Sequence, residues 1–300
     1  MPATPITFFN RLTGRLETEA VYGEGFLRFT YENPLGALPL HALVKRAAFS
    51  RWYGRRMDAP ASRAKIAPFL ASYGVDIGEF ADAPDSFRTF NEFFYRKLKP
   101  QARPTAPGDD VICLPADGRH LVLPDITRCD DFFIKGTRFD LSALLRDAGL
   151  AERFGHGSML ISRLCPVDYH RFHFPCAGTP GAARLINGPL YSVSPIALRR
   201  RASIHWENKR EITLLRSAGL GDVLLLEVGA TCVGSIMQTY TPETPVQKGA
   251  EKGYFRFGGS CFITIFEPGK IRFSDDLLEH SRAGREVYAR MGDVAAHALG

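Results

Sequence analysis

Phe257-Gly258-Gly259-Ser260-Cys261-Phe262-Ile263-Thr264-Ile265-Phe266-Glu267-Pro268-Gly269-Lys270-Ile271-Arg272-Phe273, residues 257–273, is the stretch that decides the fold class. Cys261–Phe266 and Ile271–Phe273 are short apolar runs of β-branched and aromatic residues. Glu267–Lys270 sets proline and glycine where a type II turn wants them. Outward from here the same texture extends back to Pro107: Val111–Leu114, Leu121–Leu123, Ser158–Leu164, Asp222–Ala230 and Cys232–Met237 are separated by Gly/Pro/Asp turns. A single helical pattern, near 139–150, interrupts these strands. Sequential strands on short connections predict an antiparallel sheet or barrel-like sandwich, not a doubly wound fold. An amphipathic pattern predicts a closing helix over 276–295.

Before residue 105 the periodicity is helical. Residues 35–57 read as an amphipathic helix after Pro39: Leu40, Leu43, Val44, Ala47, Ala48 and Trp52 recur at helical spacing. Residues 62–73 form a second pattern stopped by Gly74, and Thr89-Phe90-Asn91-Glu92 matches a capping box. The predicted class is therefore α+β, an N-terminal helical region packed on a mainly antiparallel β sandwich or barrel-like core. Its expected divisions are a helical, membrane-associating region over 1–105 and a β-rich catalytic domain over 106–300.

The 300 residues carry a net charge of +6, and residues 1–65 hold ten Lys/Arg against five acids, nearly the whole excess. Basic residues interleaved with aromatic and aliphatic runs fit an anionic membrane surface better than nucleic acid. Packing of the same helix on the protein's own core is the competing reading. No stretch approaches the roughly 18 apolar residues that span a bilayer. The N-terminus lacks the apolar core of a signal peptide. Six scattered cysteines, with no CxxC pair or zinc spacing, are expected to be reduced thiols of a cytoplasmic protein. No metal site is expected.

Three polar elements accompany the strands. Pro115-Ala116-Asp117-Gly118 places an aspartate in a turn after a strand, and Asp168-Tyr169-His170-Arg171-Phe172-His173-Phe174-Pro175 carries two histidines three apart. Pro166 and Pro175 bracket that segment against helix, so His170 and His173 point to opposite faces of an extended chain. The third is Gly258-Gly259-Ser260. The α/β-hydrolase elbow G-x-S-x-G is absent, because Phe262 fills its last position. Together the three supply an acid, a base and a hydroxyl for nucleophilic chemistry.

These motifs, with TFNEFFYRKLKP (89–100), NGPLYSVSP (187–195), EVGATCVGSI (227–236), KGAEKGYFRFGGS (248–260) and DDLLEHSRAGREVYARMG (275–292), resemble the phosphatidylserine decarboxylases, closest to the branch with a Gly-Gly-Ser cleavage site. The resemblance implies a lyase zymogen that cuts itself between Gly259 and Ser260. Ser260 would become a covalent pyruvoyl cofactor, with the fragments 1–259 and 260–300 staying associated. It implies His173 as general base for cleavage with Asp117 orienting it, and His170 as proton donor in decarboxylation. Phosphatidylserine and an anionic membrane surface are the implied partners, at the cytoplasmic side of the cell membrane; a homodimer is left open. Cys261 departs from the family's usual Thr or Ser after the cleavage serine, and a thiol is the poorer hydrogen-bond donor. A soluble pyruvoyl-dependent amino-acid decarboxylase and an uncleaved lipid-binding homologue are the alternatives.

Overall fold

The computed structural model describes residues 5–21, 23–33, 35–36, 40, 45–127, 139–231, 235–258 and 260–300. Its strands in chain order are β1 (Thr7–Asn10), β2 (Arg15–Thr18), β3 (Val111–Cys113), β4 (Gly118–Leu123), β5 (Ser158–Leu164), β6 (Arg171–His173), β7 (Thr179–Pro180) and β8 (Arg184–Ile186). They continue with β9 (Arg210–Ser217), β10 (Gly221–Val228), β11 (Ile236–Gln238), β12 (Glu251–Phe255), β13 (Ser260–Phe266), β14 (Ile271–Phe273), β15 (Val287–Ala289) and β16 (Val294–Ala298). The large sheet runs β2-β1-β15-β4-β5-β13-β10-β9-β7, with β8 also on β9. Two three-stranded sheets, β11-β12-β6 and β14-β16-β3, complete the described strands. All pairings are antiparallel except β1 with β15.

β5 and β13 are buried along their full length because both faces of the large sheet are covered. The period of two sorts their side chains. Leu160, Leu164, Phe262 and Phe266 enter one cluster with Phe172, Phe255, Ile112 and Phe273 of the two small sheets. Met159, Ile161, Cys261, Ile263 and Ile265 enter another with Leu144, Leu145, Phe154, Ala197 and Ile204 from helices. The architecture is thus α+β, an open sandwich and not a closed barrel. Truncating Phe262, with no exposed surface, to alanine would cost about 3–5 kcal/mol.

A third cluster belongs to the N-terminal helices. Met57, Ile66, Phe69, Phe80, Phe87, Phe90, Phe93 and Phe94 pack around Phe257, which immediately precedes Gly258. The capping box forms in part: the Thr89 hydroxyl accepts from Glu92 N at 3.1 Å, while Glu92 reaches Arg88 N instead of its cap.

Three expectations are corrected. The N-terminal region begins with the β1–β2 hairpin, which extends the large sheet through β15. Of the 35–57 pattern, the described helix is Ala47–Asp58, with 37–39 and 41–44 outside the described residues. The closing helix spans only Asp275–Arg282, and the chain then returns as β15 and β16. Short helices at Pro195–Leu198 and Ile204–Glu207 were not signalled by periodicity. The turn at Glu267–Lys270 forms, with Gly269 at φ +70°, but it hands the chain from one sheet to another, since β14 pairs with β16.

Candidate active site

Ser260 opens β13 opposite Leu164 of β5, in the middle of the large sheet. It has no exposed surface, and its Oγ has no hydrogen-bond partner. A buried hydroxyl without a partner is a costly arrangement that calls for an explanation. Gly259 lies outside the described residues. Gly258 is held at φ +136°, a conformation open to glycine and disfavoured for other residues. Cys261 faces the opposite side of the sheet, in the helix-covered cluster, and burial pushes its thiol pKa up.

His170 approaches the same segment. Its ring packs 3.8 Å from Phe94, and its Nδ1 lies 2.9 Å from the Asp168 carbonyl oxygen. A carbonyl only accepts, so Nδ1 carries the proton and Nε2 presents a lone pair. That Nε2 is buried and unpartnered. Burial pushes the His170 pKa down to about 3, against the upward pull of the Asp168 carbonyl and of the nearby Gly258 backbone. At neutral pH His170 is therefore an uncharged imidazole beside Gly258, with an unsatisfied acceptor at Nε2.

His173 is fully engaged. Its Nδ1 donates to the Gly249 carbonyl at 2.9 Å, and the Tyr169 hydroxyl lies 3.3 Å from Nε2. Burial lowers its pKa; the Gly249 carbonyl and the Glu251 and Asp117 charges oppose that effect. Asp117 sits in the turn before β4, where a Cβ at Gly118 would come within 2.5 Å of the Arg163 carbonyl oxygen. The Asp117 carboxylate accepts from Arg103 Nε at 2.8 Å and Nη2 at 2.6 Å, and from Met291 N at 2.8 Å. Arg103 is held in turn by Glu79 at 3.0 Å.

The structure thus places His170 beside Gly258, two residues before Ser260, and Asp117 near enough to His173 to act on it by charge. It does not form the direct Asp117–His173 hydrogen bond implied for an orienting aspartate, because Arg103, Tyr169 and Gly249 occupy those positions. Arg103, Phe94 and Tyr169 are the participants that sequence reasoning missed. Tyr169 stood inside the quoted histidine segment, whereas Arg103 carried no signal. Among the described residues no group of three or more His/Cys/Asp/Glu side chains has metal-binding geometry.

Next to Gly258 a cavity of about 370 Å³ opens between the sheet and the N-terminal helices. Phe26, Leu27, Phe49 and Tyr53 form its apolar wall, and Arg119 and Arg163 its buried end.

The sequence profile of the family described as phosphatidylserine decarboxylase matches residues 90–295, which include the candidate residues Asp117, His170, His173 and Ser260. A phosphatidylserine decarboxylase proenzyme of Fusobacterium nucleatum is 43% identical over 288 residues, covering 96% of each chain. The proenzymes of Chlamydia trachomatis serovar L2 and Clostridium kluyveri are each 44% identical, covering 97% and 96% of this chain and 97% of their own lengths. This chain belongs to the phosphatidylserine decarboxylase family. Within that family of proenzyme decarboxylases, the unsatisfied hydroxyl at the head of β13 acquires a chemical reading. A hydroxyl held dry and unpaired two residues after a glycine whose φ angle other residues rarely adopt is suited to act on neighbouring backbone. Asp117, paired with Arg103, and the engaged His173 form a second, electrostatically stabilised cluster of the candidate residues.

Proposed function

We propose that this chain removes CO₂ from phosphatidylserine to give phosphatidylethanolamine after cutting itself between Gly259 and Ser260. The observation that carries the reading is the buried, unpartnered Ser260 Oγ two residues after Gly258, near a cavity with an apolar wall and an end where Arg119 and Arg163 pair with carboxylates. In the cleavage step Ser260 Oγ attacks the Gly259 carbonyl carbon, and the amide becomes an ester. Elimination then removes the Ser260 Cα proton, frees the Gly259 carboxylate and breaks the chain into 1–259 and 260–300; water hydrolyses the dehydroalanine left at 260 to the keto-acid end, releasing ammonia. His173 takes the serine proton, kept neutral for that task by burial, and Asp117 stabilises the resulting charge through space.

The orphaned Ser260 Oγ fits a precursor that gives up this atom to Gly259, and the orphaned His170 Nε2 fits a pyruvoyl group at position 260, which would supply an electron-accepting ketone for the departing CO₂. His170 holds or returns a proton at Nε2, its tautomer fixed by the Asp168 carbonyl. Phe94 and the apolar wall exclude water from these groups, which strengthens every charge interaction inside the site.

The substrate reaches the chain from a membrane surface. The N-terminal region exposes Phe26, Phe29, Leu35 and Trp52 together with Arg46, Arg51, Arg55 and Arg56, a composition suited to peripheral docking at the cytoplasmic leaflet. Among the described residues no helix is long and apolar enough to cross a membrane. Intact-mass measurement under denaturing conditions, paired with CO₂ release from phosphatidylserine vesicles, tests the reading. Two fragments, the smaller with a keto-acid end, and lipid-dependent CO₂ are expected; one uncut, inactive chain would overturn it.

A further inference from the structure

The cavity beside Gly258 ends in an ion cluster that neither the cleavage nor the proton transfers use. Arg119 and Arg163 are cross-strand neighbours, and Arg163 is in turn opposite Cys261, one residue from Ser260. Both guanidiniums are more than nine-tenths buried. Arg119 lies between the rings of Phe8 and Tyr288, 4.9 and 5.1 Å from their centroids, and donates to Asp168 at 2.9 Å. Arg163 is held from behind by Glu286, through Nε at 2.9 Å and Nη2 at 2.5 Å.

Among the described residues lining the cavity, Glu19 is the only acid. One of its oxygens, Oε2, bridges the two arginines, 2.6 Å from Arg163 Nη2 and 3.3 Å from Arg119 Nε. The second contact lacks hydrogen-bond geometry, so Arg119 Nε remains a buried donor without a hydrogen-bond partner, at the end of a cavity. Asp168 and Glu286, the other two acids of the cluster, are not among the lining residues. Glu19 also differ from them in origin: it follows β2 in the N-terminal segment, whose next residues, Ala20 and Val21, line the same cavity.

A monoanion bridging two forked donors at the dry end of an apolar cavity is the geometry by which arginines bind phosphate. Asp168 and Glu286 already pair with the two arginines, so an entering anion takes the place of the Glu19 carboxylate, which must leave Arg163 Nη1 at 3.1 Å and Nη2 at 2.6 Å and swing away from the cluster. We propose that Arg119 and Arg163 receive the phosphodiester anion of the lipid headgroup, and that Glu19 holds their place until the lipid arrives. The headgroup is then anchored on one face of the sheet while its amine reaches the head of β13, and the acyl chains lie along Phe26, Leu27, Phe49 and Tyr53. Because Arg119 also holds Asp168, whose carbonyl fixes the His170 tautomer, anion binding adjoins the proton-transfer group.

This inference rests on the phosphatidylserine reading for the identity of the lipid, but its test does not require turnover. Glycerophosphoglycerol, a phosphodiester with neither acyl chains nor a reacting amine, is titrated calorimetrically into the full chain. Glu19→Gln, which keeps the shape and removes the competing charge, should tighten binding about tenfold, and Arg119→Lys should weaken it about tenfold. Inorganic phosphate should bind more weakly than the diester. Unchanged or weaker diester binding in a folded Glu19→Gln protein overturns the proposal, as does phosphate binding equal to that of the diester. If Glu19→Gln does not fold, Arg119→Lys against the parent decides, and equal affinities overturn it. An uncleaved chain that shows the expected pattern would sink the decarboxylase reading alone; a cleaved, active chain without it would sink only this inference.

Discussion

The two ends of the proposed active site differ in how their polar groups are satisfied. At one end Asp117 accepts from Arg103 and from the Met291 amide, and both His173 nitrogens have partners. At the other, Ser260 Oγ and His170 Nε2 are equally dry and have none. Unsatisfied groups keep their bonding capacity for a reacting atom, whereas His173 must give up the Tyr169 hydroxyl before its Nε2 can take the serine proton.

The largest effect should come from removing the unsatisfied hydroxyl. Ser260→Ala is expected to leave a single intact chain by mass and to abolish CO₂ release. His170→Gln should lower turnover about a thousandfold while fragments still form, since proton transfer by one positioned group contributes roughly 10²–10⁴-fold. Uncut protein from His170→Gln would erase the distinction between the two ends. Asp117→Asn should act on the saturated end, slowing cleavage and destabilising the fold by about 2 kcal/mol, because Arg103 loses its charged partner in a buried setting. Urea midpoints and a time course of fragment appearance separate those two effects.

Much of the fold was legible before the structure. The runs at Ser158–Leu164, Asp222–Ala230 and Cys261–Phe266 are apolar enough to be central strands, and they are adjacent in the sheet. The β1–β2 hairpin was not legible. Its strands are four residues each, and the partner that stabilises it, β15, lies near the other end of the chain. The same limit applies to the site. Asp117, His170, His173 and Ser260 sit in short motifs with recognisable chemistry, whereas the Arg163–Glu19 pair spans 144 residues and follows from no local pattern.

A smaller effect concerns pH. Burial pushes His120 and His170 to about 3 and His205 to about 4, each below the ordinary imidazole value. The unfolded chain therefore binds protons that the folded one refuses as pH falls below about 6.5. Stability contributed by these neutral imidazoles is complete above that pH. It is lost on acidification towards the folded values, by about 1.4 kcal/mol per pH unit for each ring. Thermal melts between pH 7 and 5 should show the decline, and a flat profile would place water around the rings. The smallest effect is on the exposed face. Arg56, 5.1 Å from the Trp52 ring, should contribute on the order of 1 kcal/mol to partition onto anionic vesicles, so Arg56→Ala should float several-fold less well.

The position of β13 has a consequence for the protein's life history. It lies between β5 and β10 with registered pairs along both edges, and the segment after it supplies β14, β15 and β16 to two different sheets. A chain severed ahead of Ser260 would keep this piece woven through the whole, yet the covalent path that guided it there would be gone. Once denatured, its two parts would have to find each other by diffusion, so recovery after unfolding would slow on dilution. Such a molecule assembles once, as a single chain, and thereafter endures by never coming apart.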